Sequence, residues 1–421
     1  MRQGLKILVV GTADTKADEL LFIKACIEKA GGTGEIMDVG VLGEPAFKCE
    51  ITNRDVAAAA QSTLADVAAL GDENKAMKVM AAGAVNLALS RYQRGDVDGL
   101  LALGGTMGTD LALDVTAALP VGMPKLIVTT VAHSHLIPPD RLAPDLMTIL
   151  WAGGLFGLNS ICRSILSQAA GAILGACDAV ERPRSERPAV AIGGLGKSCL
   201  SYMVDLKPAL EKRGFETVVF HCTGMGGRAM EALIDQGAFV AVFDFALCEL
   251  GNFRHGSVVN AGPTRLEAAG RRGVPQLVSP GASDMIDVQA WAPIPTRYEG
   301  RPYHAHNRLI GSTIMTPDER RDVARYIAGK LNKSHGPVAF LLPRRGIHAW
   351  DIEGQPLHDA VAHAAYCEEF RRTLKPPIVL HDLDMHINDK AFVGKALEIF
   401  DDWVERGLIQ REPSNVSVAG T

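Results

Sequence analysis

Short apolar runs alternate with amphipathic stretches along almost the whole chain. An apolar run bounded by glycine or polar residues predicts a buried strand, and apolar residues spaced three and four apart predict a helix. In the first half the strands are predicted at 6–10, 35–41, 99–103 and 125–130. The helices are predicted at 18–29, 54–70, 74–91, 109–119 and 158–177. Strands that alternate with helices in this way indicate a parallel α/β sheet.

The same alternation starts again after residue 188 and predicts a second wound sheet. Its strands are predicted at 189–193, 217–221, 239–245, 276–279, 338–342 and 378–381. Its helices are predicted at 200–213, 227–236, 264–272, 317–331, 358–374 and 390–406. The segment 287–308 has neither periodicity, so we expect it to be irregular.

Length and a break in the pattern predict two domains. With 421 residues the chain exceeds what one hydrophobic core usually fills. Two prolines and alternating charges break the pattern at 181–188. We therefore predict an N-terminal Rossmann-like nucleotide-binding domain at 1–180, a linker at 181–188, a C-terminal Rossmann-like domain at 189–409 and a loose tail at 410–421. The predicted fold class is α/β, with two Rossmann-like three-layer domains whose mostly parallel sheets face a central cleft.

Composition and charge narrow the classes of function. The chain is 47% hydrophobic and 22% charged, with a formal net charge of -5, and its basic residues are scattered among acids. A nucleic-acid binder needs a basic stripe, so nucleic acid is not expected as a ligand. The eight cysteines form no Cys-x-x-Cys pair, which favours buried thiols in a reduced, cytoplasmic protein. No apolar stretch approaches the roughly 20 residues of a membrane span, so no membrane partner is expected.

Two turns at predicted strand ends carry chemistry suited to phosphate. The strand at 99–103 runs into the glycine-rich turn Gly104-Gly-Thr-Met-Gly-Thr109, which opens a helix. Such a turn aims the N–H groups of Gly105 to Thr109 and the positive end of a helix dipole at one point, where an anion can bind. The second turn, Gly11-Thr-Ala-Asp-Thr-Lys16, follows the first strand. Ligands of doubly wound sheets bind at such carboxyl ends.

The side chains of these turns suit a polyphosphate. Lys16 can place an ammonium group against a phosphate oxygen, and Thr15 and Thr106 can donate hydroxyl groups. Asp14 would repel a polyphosphate unless Mg²⁺ lies between them, so Asp14 is the candidate magnesium ligand. The alternative is that Asp14 caps the following helix and the glycines only turn the chain.

Motifs along nearly the whole chain resemble those of a known family. They include Val-Val-Gly-Thr-Ala-Asp-Thr-Lys16, Leu-Gly-Gly-Thr-Met-Gly-Thr109, Leu-Pro-Val-Gly-Met-Pro-Lys125, Phe-His-Cys-Thr-Gly-Met-Gly-Gly-Arg-Ala-Met-Glu231, Asn-Ala-Gly-Pro-Thr-Arg-Leu266, Ser-Pro-Gly-Ala-Ser-Asp284 and His-Ile-Asn-Asp389. Together these blocks are similar to the ATP-binding family typified by the tomato mosaic virus resistance protein. The resemblance implies two Rossmann-like domains, Mg·ATP held by the first domain, and homodimers.

The resemblance also implies which residues contact the nucleotide. They are Asp14, Thr15 and Lys16 of the first turn and Gly104, Gly105, Thr106, Met107, Gly108 and Thr109 of the second. Two positions depart from the family pattern. Met107 stands where the family usually has glycine, which would cause strain if the position needs a positive φ. Glu73 stands where the family has a basic residue, and Lys75 is the nearest substitute.

A lysine-containing string, Gly193-Gly-Leu-Gly-Lys-Ser198, resembles the phosphate loop of nucleoside triphosphatases. The full motif needs a glycine five positions before Gly196, where this chain has Ala191. A true phosphate loop is therefore not expected, although Lys197 remains a candidate for the cleft.

The second half has a polar constellation of its own. His221 ends a predicted strand and is followed by Cys222-Thr-Gly-Met-Gly-Gly-Arg228, a glycine-rich turn with a guanidinium group. Such a turn could bind a carboxylate or a second phosphate. We name His221, Arg228 and Asp284 as candidate catalytic residues, with His221 as acid or base because imidazole exchanges protons near neutral pH. Caps and hydrogen-bonded turns are the alternative.

A His-x-His pair, His304 and His306, suggests a metal. On an extended segment the two rings point to the same side, which suits a transition metal, and Asp382, Asp384 or Asp389 could complete the ligand shell. The spacing matches none of the fixed metal signatures, so anchoring of a substrate or an interface is the alternative.

Three functions are compatible with these features. The first is an ATP-binding protein. The second is a metabolic enzyme that acts on a phosphorylated or carboxylated small molecule at the cleft, with a metal as a possible aid. The third, a dinucleotide-dependent oxidoreductase, is disfavoured because the first turn lacks Gly-x-Gly-x-x-Gly.

Overall fold

A computed structural model describes residues 4–43, 45–134, 136–138, 141–181 and 186–412. The described residues fall into two compact units, one up to residue 181 and the other from residue 186. Of the predicted linker, residues 182–185 lie outside the described part, as do residues 413–421 of the predicted tail. Each unit has its own sheets and its own hydrophobic core.

The N-terminal unit is built on a five-stranded sheet in which all neighbouring strands are parallel. Its strands are β1 Lys6–Gly11, β2 Thr33–Asp38, β3 Gly99–Gly104, β4 Lys125–Thr129 and β5 Met147–Leu150, in the order β2-β1-β3-β4-β5. The central strand β3 is buried along its whole length. Helices on both faces of a parallel sheet explain such uninterrupted apolar strands.

Among the described residues of this unit, six α-helices flank the sheet. They are α1 Ala17–Lys29, α2 Asn53–Ala59, α3 Leu64–Ala69, α4 Glu73–Gln93, α5 Thr106–Ala118 and α6 Ser160–Ala179. Successive β1 side chains point to opposite faces, because side chains alternate along a strand. Ile7 and Val9 belong to the core cluster that includes α1 and α6, whereas Leu8 and Val10 belong to the cluster that includes α4 and α5.

Two N-terminal elements differ from the sequence prediction. The helix predicted at 54–70 is two helices, because Gln61 has a positive φ of 58° and the Thr63 side chain caps a new helix by accepting the Asp66 N–H. Strand β5 is absent from the prediction. It is a short edge strand and only partly buried, so its apolar pattern is weak.

Helix α6 is the one helix of the described residues that is long and apolar enough to cross a membrane, with a mean hydropathy of 1.2. Its residues Cys162, Leu166, Ala169 and Ile173 are buried in the core, and the helix packs against α1 and β3. This packing is typical of a core helix in a soluble α/β protein.

The C-terminal unit contains a six-stranded sheet and a small three-stranded sheet. The strands are β6 Ala189–Gly194, β7 Glu216–His221, β8 Ala241–Ala246, β9 Gln276–Gly281, β10 Met285–Gln289, β11 Tyr303–Ala305, β12 Ile310–Ile314, β13 Val338–Pro343 and β14 Val379–Leu383. The large sheet is parallel, in the order β14-β13-β9-β8-β6-β7, and the small sheet β10-β12-β11 is antiparallel.

The helices of this unit are α7 Met203–Lys212, α8 Met225–Asp235, α9 Cys248–Arg254, α10 Ala268–Arg272, α11 Pro317–Leu331, α12 Ala360–Thr373 and α13 Lys390–Glu405. The segment predicted to be irregular at 287–308 contains the end of β10 and all of β11, whereas residues 290–302 contain no strand. Helix α9 is missing from the prediction because its first five residues are all buried, which hides the helical period. The α/β prediction with two largely parallel sheets is confirmed.

Candidate functional site

The N-terminal unit has a cavity of about 410 Å³ at the carboxyl ends of β1 and β3, here called the β1/β3 crevice. The chain leaves β1 for β2 on one side and returns to β3 on the other, so the connections diverge at this point. Ligands of doubly wound sheets bind at such switch points. The crevice is lined by Thr12, Asp14, Thr15, Lys16, Val39, Val41, Leu42, Glu73, Met77, Met80, Gly104, Gly105, Thr106, Met107 and Gly108. The structure therefore brings together the two turns that the sequence singled out.

Two of the three helices that begin at the crevice, α1 and α5, have no side-chain cap, whereas α4 begins there at Glu73 and is capped by Asp72. Helices α2, α3, α4 and α6 of this unit are each capped by a side chain, from Thr52, Thr63, Asp72 and Asn159 respectively. Helices α1 and α5 begin after Lys16 and Gly105 without such a cap. First-turn N–H groups have no partner inside a helix, and the positive dipole end attracts anions. The two uncapped N-termini thus leave donors at the crevice.

Glycine shapes the second turn at one position in particular. A Cβ atom on Gly104 would lie 2.5 Å from the Cα of Gly108, so glycine allows the end of β3 to approach the first turn of α5. Met107 lies in that turn with helical backbone, and it is not among the residues with positive φ. The strain considered for Met107 does not arise. Its side chain is 48% exposed.

Thr109 differs from the other predicted contact residues. Its side chain is buried, its hydroxyl lies 2.6 Å from the Thr129 hydroxyl, and its N–H donates to Gly105 O at 2.9 Å. Both groups are engaged within the protein, so the donors of the second turn are those of Gly105 to Gly108. Thr109 instead lines an adjoining cavity of about 290 Å³, which shares Glu73, Met77, Thr106 and Met107 with the crevice.

Asp14 presents one carboxylate oxygen that the protein does not use. Its Oδ2 accepts the Leu42 N–H at 2.9 Å, whereas its buried Oδ1 has no hydrogen-bond partner among the described residues. The turn itself is held by Asp38, whose Oδ1 accepts the N–H groups of Ala13 and Gly40 at 2.9 and 2.8 Å. Asp14 is therefore not the helix cap that the alternative interpretation supposed, since α1 has no side-chain cap.

Glu73, which stands where the family has a basic residue, also lies at the crevice. Glu73 lines the cavity, whereas Lys75 is absent from the lining, is 68% exposed, and lies 3.9 Å from Asp72. Lys75 therefore does not replace the expected basic group. Lys16 is the basic residue of the lining, which also carries the acidic Asp14 and Glu73.

In the C-terminal unit, the glycine-rich turn after β7 already holds an anion from the chain itself. The Glu249 carboxylate accepts the N–H groups of Gly224 and Gly227, the latter at 3.1 Å. Glu249 also pairs with the buried Arg265 at 2.7 Å, and Arg265 pairs with Asp244 at 2.7 Å. Burial raises the pKa of Glu249. The turn thus binds a carboxylate, as its chemistry predicted, but an internal one.

The three candidate catalytic residues do not come together. His221 is exposed at the end of the edge strand β7, and Arg228 lies on α8. Asp284 is fully buried after β9, which is three strands away from β7, or roughly 14 Å at about 4.8 Å per strand. Three groups so placed do not form one catalytic wall.

Asp284 belongs to a buried ionic cluster whose other members the sequence did not reveal. Its carboxylate lies 2.9 Å from Arg320 Nη1 and 3.3 Å from His348 Nε2. Burial alone would raise the Asp284 pKa, but Arg320 and His348 outweigh it and hold that pKa well below its usual range. Asp351 accepts the Ile347 N–H at 2.6 Å and lies 3.1 Å from His386 Nε2. Apart from His348 and Asp351, which are three residues apart, these residues are distant in the chain, so no local motif predicts the cluster.

Asp284, His348 and Asp351 converge closely enough to suggest a metal site, since one ligand atom from each lies within 4.8 Å of the others. Hydrogen bonds assign the imidazoles a different role. His348 Nδ1 accepts the Trp350 N–H at 3.2 Å, and His386 Nδ1 accepts the Asn388 N–H at 3.1 Å. An accepting Nδ1 leaves the proton on Nε2, which faces a carboxylate in each case. The cluster is therefore held mainly by ion pairs, because the carboxylate oxygens of Asp284 and Nε2 of His348 have no hydrogen-bond partner among the described residues.

His304 and His306 lie side by side, as the His-x-His spacing predicted. Their ring centroids are 5.1 Å apart, and Trp350 packs against both rings, at 4.7 Å from His304 and 4.2 Å from His306. Burial, with smaller contributions from His304 and His348, lowers the pKa of His306 to about 4.

The aspartates proposed to complete a metal shell are engaged elsewhere. Asp382 pairs with Arg371 at 2.6 Å and with Arg344 at 3.1 Å, and Asp384 pairs with Arg345 at 2.8 Å. Asp389 accepts the backbone N–H of His386 at 2.8 Å. These contacts give the three carboxylates structural roles.

Comparison with known proteins follows this division of the chain. Residues 5–182 match the N-terminal domain of the family described as "Uncharacterised protein family (UPF0261)", and residues 187–404 match its C-terminal domain. The chain belongs to the UPF0261 family. A UPF0261 protein of Brucella melitensis is 52% identical over 404 residues, which cover 96% of this chain and 97% of the relative. A UPF0261 protein of Clostridium tetani is 33% identical over 389 residues, or 92% of this chain and 96% of the relative.

The UPF0261 relatives include a plant protein. The ToMV resistance protein Tm-1 of Solanum lycopersicum is 28% identical over 432 residues, which cover 94% of this chain and 55% of the plant protein. The family resemblance that the sequence motifs indicated is thereby confirmed. These matches establish the family and do not assign a ligand to this chain.

Proposed function

We propose that this UPF0261 protein binds ATP together with Mg²⁺ in the β1/β3 crevice. The observation that carries the proposal is the meeting of two uncapped helix N-termini, those of α1 and α5, at one cavity at the switch point of the sheet. A helix N-terminus with free N–H groups is a binding site for phosphate. A cavity of about 410 Å³ is within the usual range of small-molecule sites.

Polar and apolar residues of the lining are suited to different parts of a nucleotide, the phosphates and the base. In the proposed complex, the N–H groups of Gly105 to Gly108 bind phosphate oxygens, and Lys16 neutralises part of their charge. The hydroxyls of Thr15 and Thr106 add donors. The apolar side chains Val39, Val41, Leu42, Met77 and Met80 form a wall against which a base can pack.

Magnesium fits the charge pattern of the crevice. Asp14 and Glu73 are acidic, so a polyphosphate brought in alone would meet two carboxylates and one ammonium group. The unused Oδ1 of Asp14 is a hard oxygen ligand of the kind that Mg²⁺ prefers, bound directly or through water. When bound, the ion would offset charge between Asp14 and the phosphates.

The cysteines support a reduced compartment, and we propose the cytoplasm. All eight cysteines, at positions 26, 49, 162, 177, 199, 222, 248 and 367, are free thiols. Disulfides are expected in oxidising compartments and are rare in the cytosol.

Isothermal titration of the full chain with ATP in the presence of Mg²⁺ tests the proposal. We expect Lys16→Ala to weaken ATP binding at least tenfold, about 1.4 kcal/mol, because the variant loses the ammonium group at the phosphates. Lys75→Ala is the matched control, since Lys75 is exposed and absent from the lining, and it should change affinity less than twofold. Absence of ATP binding by the wild-type chain, or an equal loss in both variants, would refute the proposal. Titration with NAD separates a dinucleotide site from an ATP site.

A further inference from the structure

The histidines of the C-terminal unit differ in which ring nitrogens are used. In His386, Nδ1 accepts the Asn388 N–H and Nε2 lies 3.1 Å from Asp351 Oδ1, so both ring nitrogens are engaged. In His348, Nδ1 accepts the Trp350 N–H, and Nε2 lies 3.3 Å from Asp284 Oδ1 without forming a hydrogen bond among the described residues. In His306, Nε2 lies 2.7 Å from the Ser312 hydroxyl, and no hydrogen bond to Nδ1 is found among the described residues. The ring nitrogens of His304 likewise have no hydrogen-bond partner within the described ranges.

The Nε2 contact of His306 leads into a buried chain of hydrogen bonds. The Ser312 hydroxyl donates to Asp287 Oδ1, so the serine oxygen must accept its other bond from His306 Nε2–H. Asp287 is anchored in turn, because its Oδ2 accepts the Asn252 side-chain N–H at 2.6 Å and its N–H donates to Asn252 Oδ1 at 2.8 Å. The chain fixes the tautomer of His306 with the lone pair on Nδ1.

This arrangement is the one found behind histidines that ligate metals. Such histidines donate the second ring N–H to a carboxylate, carbonyl or water, which orients the ring and raises its basicity. Here the carboxylate of Asp287 acts through Ser312. A His306 held in this way has the correct tautomer to ligate through Nδ1, whereas both ring nitrogens of His386 are engaged within the protein.

The spacing of the two rings also fits one shared ion. An imidazole nitrogen lies about 2.0–2.1 Å from Zn²⁺, so a ring centroid lies about 3.2 Å away, and two rings at a tetrahedral angle have centroids about 5.2 Å apart. The centroids of His304 and His306 are 5.1 Å apart. The separation of the two ring centres thus matches that of two imidazoles on one ion, with the ring planes at 82° to each other.

We infer that His304 and His306 bind one divalent transition-metal ion of the Zn²⁺, Ni²⁺ or Cu²⁺ class. Imidazole nitrogens favour these ions over Mg²⁺ and Ca²⁺. Two protein ligands leave coordination positions for water or for an oxygen ligand. The site lies in the C-terminal unit and is independent of the proposed ATP site.

Trp350 gives the experiment its readout. Its ring packs on both histidines, so a bound Cu²⁺ or Ni²⁺ should quench its fluorescence. The full chain, freed of metal with a chelator, is titrated with CuCl₂, NiCl₂ and ZnCl₂, and binding is followed by fluorescence and by calorimetry. We expect one equivalent to bind, with quenching that disappears in Trp350→Phe.

Variants separate this site from the buried ionic cluster. We expect His304→Ala and His306→Ala to weaken binding at least tenfold. Ser312→Ala keeps both ligands and should weaken it about tenfold, as loss of a supporting hydrogen bond does. His335→Ala, at an exposed histidine outside the cluster, and Asp351→Asn should change affinity less than threefold.

Three results would overturn the inference. They are no metal binding by the wild-type chain, unchanged binding by His304→Ala, and loss of binding in Asp351→Asn while His304→Ala still binds. The last would assign the ion to Asp284, His348 and Asp351. Should His306→Ala fail to fold, His304→Gln decides, because His304 is only partly buried and forms no hydrogen bond within the described residues.

Discussion

At the scale of single residues, the position of a polar atom decides what the residue can do. Asp14 and Asp38 both serve the first turn: Asp38 Oδ1 accepts the N–H groups of Ala13 and Gly40, and Asp14 Oδ2 accepts the Leu42 N–H, while Asp14, which lines the crevice, keeps its Oδ1 without a hydrogen-bond partner among the described residues. Thr106 and Thr109 both belong to the second turn, but the hydroxyl of Thr109 is bound to Thr129. Residue type and spacing predicted which residues gather at the crevice. They did not predict which of their atoms are free.

Asp14 should make ATP binding depend on magnesium. In the proposed complex its carboxylate repels the phosphates unless Mg²⁺ lies between them. We expect Asp14→Asn to weaken binding of Mg·ATP several-fold and to strengthen binding of metal-free ATP, so that the ratio of the two affinities falls. Titrations with Mg²⁺ and with EDTA measure this ratio. An unchanged ratio would exclude Asp14 from the metal.

His306 should stay neutral well below the pH at which a free histidine is protonated. Burial and the neighbouring His304 and His348 lower its pKa to about 4 from the ordinary 6.5. The folded state therefore binds fewer protons than the unfolded state, so the stability due to neutral His306 is present above pH 6.5 and lost as the pH falls toward about 4. The His306 ring resonance, recorded by NMR without metal, should not shift between pH 7.5 and pH 5.5. Titration with a midpoint near 6.5 would contradict the buried environment.

At the scale of elements, the starts of the helices distinguish structural turns from the candidate site. A side chain caps four helices of the N-terminal unit, including α4 at the crevice, whereas α1 and α5, which also begin at the crevice, are uncapped. In the C-terminal unit the corresponding donors at the start of α8 bind Glu249 of the chain itself. Of two similar glycine-rich turns, the one before α8 thus binds a carboxylate of the chain, whereas the one before α5 has no side-chain cap. The difference comes from the distant residues Glu249 and Arg265, which a local motif does not include.

Adjacent glycines in the second turn should respond differently to alanine. A Cβ on Gly104 would clash with Gly108 at 2.5 Å, whereas a Cβ on Gly105 has its nearest neighbour at 4.0 Å and an ordinary φ of -71°. We expect Gly104→Ala to displace the first turn of α5 and to lower the unfolding free energy by about 1–3 kcal/mol, as overpacking does. Gly105→Ala should leave it within about 0.5 kcal/mol, the usual range for surface changes. Urea denaturation of both variants measures the difference, and equal losses would show that β3 and α5 do not pack closely here.

At the scale of the whole molecule, each unit has its own core. The clusters around the N-terminal sheet contain no C-terminal residues, and the clusters around the C-terminal sheets contain no N-terminal ones. The two large sheets begin with the same strand order, because in each the first strand along the chain lies inside the sheet and the second lies at an edge. The homodimer, the small-molecule substrate and the central cleft stay predictions.

Separate cores should make ATP stabilise one unit alone. A ligand that binds only the folded state stabilises it by about 2.7 kcal/mol when its concentration is 100 times Kd. In differential scanning calorimetry we expect two transitions, of which only the N-terminal one rises in temperature with Mg·ATP. Lys16→Ala, with affinity at least tenfold weaker, should reduce the shift to about half or less. A single transition that shifts as a whole would show that the units unfold as one, and equal shifts of two transitions would show that ATP stabilises both units.

The sequence by itself determined the α/β class, most of the strands and helices, the family, and the two turns that line the crevice. These features depend on local periodicity and on glycine at strand ends, which a chain displays without being folded. Only the tertiary structure separated α2 from α3, revealed the small sheet and α9, and assembled Asp284, Arg320, His348 and Asp351. It also decided which nitrogens and oxygens are already bound. Those properties depend on contacts between residues distant in the chain, and a hydrogen bond is satisfied or left open only when its partner has been brought within reach.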